Sequence, residues 1–215
     1  MTKRLIYAMA VVALAIIAFA GYNYTTRSTP VDVPPIPVAT APDAQATEIL
    51  QIEVAGQANG MIEIQLRKDL APLHVQRIET IASAGGYDGV VFHRVIGGFM
   101  AQTGDVEFGK IANDNLERAG MGGSDLPNLK AEFSATPYVK GTVGMARSTS
   151  PDSANSQFFI MFDEAPFLNG QYTVVGQLVS GMDVLDAIKK GNPDANGAVT
   201  APADYMARVR LKAAP

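Results

Sequence analysis

The sequence predicts a mostly β fold, a closed antiparallel barrel with two α-helices plugging its ends. Three observations carry this. Short segments alternate apolar and polar residues, the period of a strand with one buried face. Gly, Asp, Asn or Pro bound each of them and stop the strand. Only two stretches have helical spacing, and they stand far apart in the chain.

The elements follow in order from Glu48. "EILQIEV" and "GMIEIQL" alternate around a turn containing Asn59-Gly60, a hairpin signal because both residues tolerate left-handed backbone. "DLAPLHVQRIETIASAG" has helical spacing, with Leu73, Ile78 and Ile81 on one stripe and a glycine stop. "GVVFHRVI", "GTVGMAR", "SQFFIMF" and "YTVVGQLV" read as strands, "DVLDAIKKG" as a second short helix and "DYMARVRLKA" as a closing strand. No internal repeat is visible.

Composition narrows the function. With 47% hydrophobic and 18% charged residues, the 215-residue chain can bury a real core. A net charge of −4 without a basic block argues against nucleic acid as a partner. The absence of cysteine removes disulfides, thiolate catalysis and cysteine zinc sites. His74 and His93 are the only histidines, too few for a multi-histidine metal site. Asp105, Glu107 and Asp114 match no calcium-loop spacing and read as a solvated loop.

Three regions are expected: residues 1–27, 28–47 and 48–215. Lys3 and Arg4 precede an apolar run from Leu5 to Gly21, and no charge returns until Arg27. This is either a signal peptide, with Ala18-Phe19-Ala20 as the small-x-small site, or an uncleaved membrane anchor, the slightly preferred reading. A buried soluble helix fits the flanking sequence less well. The leading charges favour a cytoplasmic N-terminus and export of the remainder. Residues 28–47, "STPVDVPPIPVATAPDAQAT", hold five prolines and read as an extended spacer.

Most catalytic signatures are missing: no G-x-S-x-G elbow, no P-loop, no G-x-G-x-x-G after a strand, no H-E-x-x-H. The puzzle is "FHRVIGGFMAQTGD", residues 92–105, where Arg94 stands among apolar residues with no carboxylate close by in sequence. Alternation places Arg94 on one face with Phe92 and Ile96, and His93 on the other as a satisfied buried histidine. Alone, an arginine in a strand is usually exposed or ion-paired, and Phe99, Met100, Phe158 and Phe159 would usually be core. A charge in apolar surroundings is costly unless it is paired or used.

The segments "FHRVIGGFMAQTGD", "GMGGSDLPNLKAEF", "GTVGMARSTSPDSANSQFFIMF" and "FLNGQYTVVGQLVSGMDVLDAI", in this order, closely resemble the cyclophilin family of peptidyl-prolyl cis-trans isomerases. The resemblance covers about residues 48–213. It implies an eight-stranded barrel capped by two helices, with a substrate groove on its outer surface. Arg94 matches the family's catalytic arginine, and Phe99, Met100 and Gln102 match groove residues downstream of it. Ala146 and Arg147 match the segment whose backbone lies along the bound peptide. Gln157 and Phe159 match further groove positions, while Phe158 is expected inside the barrel. Phe167, Leu168 and Tyr172 match the far rim, and Gly120 a lining residue of the neighbouring subsite.

The chain departs from the family pattern in places. Gly97 and Thr103 stand where the family often has Pro and Gly, changes that only adjust the loop. Arg147 replaces a common Asn and adds a charge that bears on substrate choice. Phe167 and Tyr172 replace the tryptophan and histidine of typical eukaryotic members, as in many bacterial ones; this bears on cyclosporin binding, not catalysis. The loop from Val106 to Ala119 is longer than in the shortest members.

The resemblance implies an isomerase that needs no cofactor, acts on proline-containing polypeptides and works as a monomer. The expected setting is the periplasmic side of the inner membrane, where it assists folding of exported proteins. Two rivals stand beside it: a groove that holds proline segments without catalysis, and a peptide hydrolase.

Overall fold

The predicted hairpin opens the fold, but its turn spans residues 56–59: Gly60 already belongs to the second strand, and Asn59 does not take the left-handed backbone expected of it. β1 (Glu48–Ala55) runs antiparallel to β2 (Gly60–Leu66), with Ile52 opposite Ile62 and Val54 opposite Gly60. Leu50, Ile52 and Val54 are buried, while Gln51 reaches across the other face to Glu63 at 2.7 Å. The computed structural model describes residues 48–113 and 116–213. The predicted anchor and spacer, 1–27 and 28–47, lie outside them, and among the described residues no helix is long and apolar enough to cross a membrane.

α1 (Pro72–Ser83) starts on a proline, whose missing N–H costs nothing in a first turn. Ala71 offers no side-chain cap. Glu132 supplies one from a distant loop, accepting from the backbone N–H of Leu73 at 3.2 Å and His74 at 3.0 Å. The same carboxylate meets His74 Nδ1 at 2.6 Å. The stripe that α1 buries is His74, Val75, Arg77, Ile78, Ile81 and Ala82. Leu73, expected on it, is 50% exposed. At 3.6 residues per turn it sits about 140° round from Ile78, and His74 fills the place instead.

The remaining strands are β3 (Val90–Val91), β4 (Arg94–Ile96), β5 (Met100–Thr103), β6 (Thr142–Met145), β7 (Phe158–Met161), β8 (Val174–Ser180) and β9 (Tyr205–Ala213). The second helix, α2 (Met182–Ala187), follows β8. All strand pairs are antiparallel, in the order β3-β9-β1-β2-β8-β6-β7-β5-β4. The nine-stranded sheet thus has one strand more than the eight expected. The extra one arises at Phe92-His93, where the stretch 90–96 leaves β9 and joins β5. Its two halves are the two ends of the strand order, so the chain itself connects them. Counted as one interrupted strand, 90–96 restores eight.

That interruption also shifts the alternation by one residue. Phe92 and Val95 both pack in the barrel interior, so Phe92 does not share a face with Arg94. The interior holds Leu50, Ile52, Ile62, Ile64, Phe158 and Ile160 among others. A second apolar cluster forms on the outer face: Met100, Tyr138, Phe159, Met161, Ala165, Leu168 and Val174, with Ile96, Phe99, Ala146 and Tyr172 packed against it.

Candidate active site

Register builds the site. Arg94 pairs with Gln102, Gln102 with Phe159, Phe159 with Gly144, and Gly144 with Val174. These five residues form one row across β4, β5, β7, β6 and β8. Opposed residues in a sheet point to the same face, so the row lies on the outside of the barrel. A second row runs Ile96, Met100, Met161 beside it. The cation, the amide and the apolar floor are therefore neighbours by strand pairing, although the chain separates them widely.

Arg94 is half-buried and, among the described residues, meets only neutral acceptors. Its Nη1 donates to Gln102 Oε1 at 3.2 Å and lies 3.8 Å from Met100 Sδ. Its Nε donates to the Asn196 carbonyl and its Nη2 to Asn196 Oδ1, both at 3.0 Å. Among the described residues no carboxylate forms an ion pair with it. Burial lowers its pKa from the ordinary value, with Tyr172 acting the other way. An arginine so placed stays charged, because its reference pKa is far above neutral.

The floor and rim come from three segments. Met100 and Phe159 are buried, and the Phe159 ring stacks on Tyr138 at 5.7 Å and meets Tyr172 edge-on at 5.8 Å. Gly144 lies beneath; a Cβ there would fall 2.5 Å from Phe159 Cζ. Leu168 is buried by the single 3-10 turn Pro166–Leu168, while Phe167 of the same turn is 70% exposed and faces Phe99 at 5.7 Å. Arg147 lies over the Tyr172 ring at 4.4 Å. Its donors go to the carbonyls of Gln171 at 3.0 Å and Ser148 at 2.9 Å. Ala146 donates its N–H to the Gln157 carbonyl at 2.9 Å. As expected, Phe158 packs with the interior and Phe159 with the groove.

A polar hollow of about 420 Å³ adjoins the floor, lined by Gln102, Gly120, Ala146, Arg147 and Gln157 among others. Gln157 organises it. Its Nε2 donates to the carbonyls of Gly120 at 3.0 Å and Gly122 at 2.8 Å, and its Oε1 accepts from Gln102 Nε2 at 3.0 Å. A polar chain therefore runs from Arg94 through both glutamines to the 120–122 backbone.

Asp105 holds that backbone. It is 0% exposed. One carboxylate oxygen accepts from Glu107 N at 3.1 Å and Phe108 N at 2.9 Å, the other from Gly120 N at 2.7 Å and Gly122 N at 3.0 Å. Asp105 is thus no solvated loop residue but the pin that ties both ends of the 106–119 loop. Asp114 lies outside the described residues, and among these no group of three or more His, Cys, Asp or Glu side chains is arranged to hold a metal ion.

His93 corrects a second expectation. It is buried, but among the described residues neither ring nitrogen meets a hydrogen-bond partner. It packs against Gly120, where a Cβ would fall 2.8 Å from the ring. Burial pushes its pKa down to about 4, against the pull of Asp105.

Every residue proposed from the sequence lies in or beside this groove. Three that shape it were not foreseen: Asn196, Asp105 and Gly144. Only Asn196 carried a local signal, standing before Gly197 as Asn-Gly pairs do in left-handed turns.

The chain is similar in sequence and fold to known proteins. The model of the family "Cyclophilin type peptidyl-prolyl cis-trans isomerase/CLD" matches residues 49–211. A probable peptidyl-prolyl cis-trans isomerase of Brucella suis is 55% identical over 179 residues, 83% of this chain and 88% of its own length. A peptidyl-prolyl cis-trans isomerase of Acinetobacter baylyi is 37% identical over 134 residues, 60% of this chain and 66% of its own. The cyclophilin AquaCyp293 of Hirschia baltica superposes with a TM-score of 0.61 at 24% identity, covering 76% of each chain. A cyclophilin type isomerase of Cryptosporidium parvum gives 0.64 at 21% identity, covering 77% of this chain and 99% of the other.

Proposed function

Because the chain belongs to the cyclophilin type peptidyl-prolyl cis-trans isomerase family and is an isomerase of that type, we propose that Arg94 is its catalytic residue and that exported polypeptides are its substrates. The observation that carries the first part is a half-buried guanidinium beside an apolar floor, with neutral acceptors and, among the described residues, no ion-pair partner.

The chemistry follows from the imide bond. Rotation breaks amide resonance, with a barrier of about 18–20 kcal/mol and times of about 10–100 s. Once twisted, the nitrogen lone pair is localised and becomes a hydrogen-bond acceptor. A donor aimed at it stabilises the twisted state alone, which is what catalysis requires. Arg94 Nη1, on the side of Gln102 and Met100, is that donor. Met100, Phe99, Phe159 and Leu168 grip the pyrrolidine ring so that the preceding residue turns against a fixed proline. A dry floor also favours the twisted form, whose dipole is smaller. Turnover on the order of 10–10³ s⁻¹ needs a gain of about 3–7 kcal/mol. One charged hydrogen bond in a desolvated site, with positioning, covers that range.

The Cryptosporidium parvum neighbour is described in the presence of the dipeptide Ala-Pro. By that likeness, a proline-containing peptide is the ligand here. Export rests on Lys3, Arg4 and the apolar run that follows, with 28–47 as the spacer between membrane and domain. The domain works as a monomer on the periplasmic side. Mass spectrometry of the mature chain tests the tether: an intact Met1 segment supports it, and a start at Gly21 replaces it with a free protein.

Arg94→Ala tests the site. Isomerisation of an Ala-Pro peptide is expected to slow about 100-fold or more, with peptide affinity largely kept. Equal rates for both proteins would overturn the catalytic assignment and favour a groove that only holds proline segments.

A further inference from the structure

An arginine side chain has many rotamers, so a guanidinium that must meet a short-lived nitrogen lone pair needs to be held. Gln102 holds one end of Arg94. The other end is held by a residue 102 positions away. Asn196 takes φ 54°, and among the described residues it is the only non-glycine at positive φ. Its backbone carbonyl accepts from Nε and its side-chain Oδ1 from Nη2, each at 3.0 Å. One residue thus grips one whole edge of the guanidinium with two oxygens.

The loop that carries Asn196 is fastened to the strand of Arg94. Val95 donates to the Gly197 carbonyl at 2.8 Å, Gly191 to the Val95 carbonyl at 2.9 Å and Val199 to the His93 carbonyl at 3.0 Å. Pro193–Ala195 forms a 3-10 turn, and Asn196 N and Gly197 N close it on Pro193 and Asn192. Asn196 itself is exposed, so filling the core is not its role. Its oxygens are neutral. A carboxylate in the same place would hold the same edge but offset the charge that the imide nitrogen is to feel.

We infer that Asn196 is the positioning residue of this site, gripping the Nε–Nη2 edge of Arg94 with two neutral oxygens and leaving Nη1 to the groove. The inference rests on Arg94 being catalytic.

Its test is a cycle of full-length variants, Asn196→Gly and Arg94→Ala alone and combined. Glycine tolerates positive φ, so the loop is kept while Oδ1 is lost. Asn196→Gly is expected to lower kcat about tenfold with little change in KM. In the Arg94→Ala background it is expected to change nothing, because a positioning residue acts only through the group it holds. Asn196→Asp keeps both oxygens but is expected to be slow as well, since the added charge acts on Arg94. A rate loss of the same factor in both backgrounds, or none in the wild-type background, would overturn the role of Asn196 while leaving Arg94 catalytic. Should Arg94→Ala itself run at the wild-type rate, the catalytic reading fails first and the inference goes with it.

Discussion

Phe158 and Phe159 are consecutive in β7, yet Phe158 packs in the barrel interior and Phe159 forms the floor of the groove. One strand therefore serves both stability and binding, on opposite faces. Changes to the outer row are expected to alter catalysis with modest effects on folding.

Gly144 tests this first. It sits opposite Phe159, and an added Cβ would fall 2.5 Å from Phe159 Cζ and 2.8 Å from Tyr138 Cε1. Gly144→Ala must displace the stacked rings. The expected outcome is a roughly tenfold loss in kcat/KM and about 1–3 kcal/mol of stability. Steady-state rates and urea unfolding check it; an unaltered kcat/KM would show that the floor does not need this space.

Gln157 couples the cation to the loop. Removing it in Gln157→Leu leaves the Gly120 and Gly122 carbonyls without its amide, and Gln102 without its acceptor. The predicted rate loss is shared with Gln102→Leu. A double-mutant cycle is expected to give a coupling of about 1–2 kcal/mol, and strict additivity would break the proposed chain.

Asp105 fixes the 106–119 loop through four backbone N–H donors. In Asp105→Asn one acceptor oxygen becomes an amide that faces two of them. Stability is predicted to fall by about 2–4 kcal/mol, because buried hydrogen bonds to a charge are lost and donors are left unpaired. Amide exchange at Gly120 and Gly122 should quicken; protection equal to wild type would argue against the pin.

His93 makes stability depend on pH. Unfolded, its imidazole takes a proton near the ordinary 6.5; folded, burial holds the pKa near 4. Between these values the unfolded state binds a proton that the folded state refuses. Stability therefore falls as pH drops from 6.5 towards 4 and this contribution levels off below, at roughly 3 kcal/mol in full. His93→Phe removes the titration. Unfolding of both proteins at pH 7 and pH 4.5 should show the smaller decline in the variant, and parallel declines would sink the assignment.

The groove residues around Arg94 were legible only through the resemblance to the cyclophilin family; by itself the sequence determined the strand alternation, the first hairpin and the two helices. These are local properties, written in periods of two or 3.6 residues and in the residues that end them. Tertiary structure alone decided where alternation breaks at Phe92-His93, because that break is where the stretch changes partner from β9 to β5. It also decided that Leu73 faces water and that Glu132, 58 residues from His74, caps α1. The company of Arg94 belongs to the same class. Asn196 reaches it through a loop folded back on β4, and no local pattern states that contact, since a hydrogen bond across 102 residues depends on the register of the whole sheet.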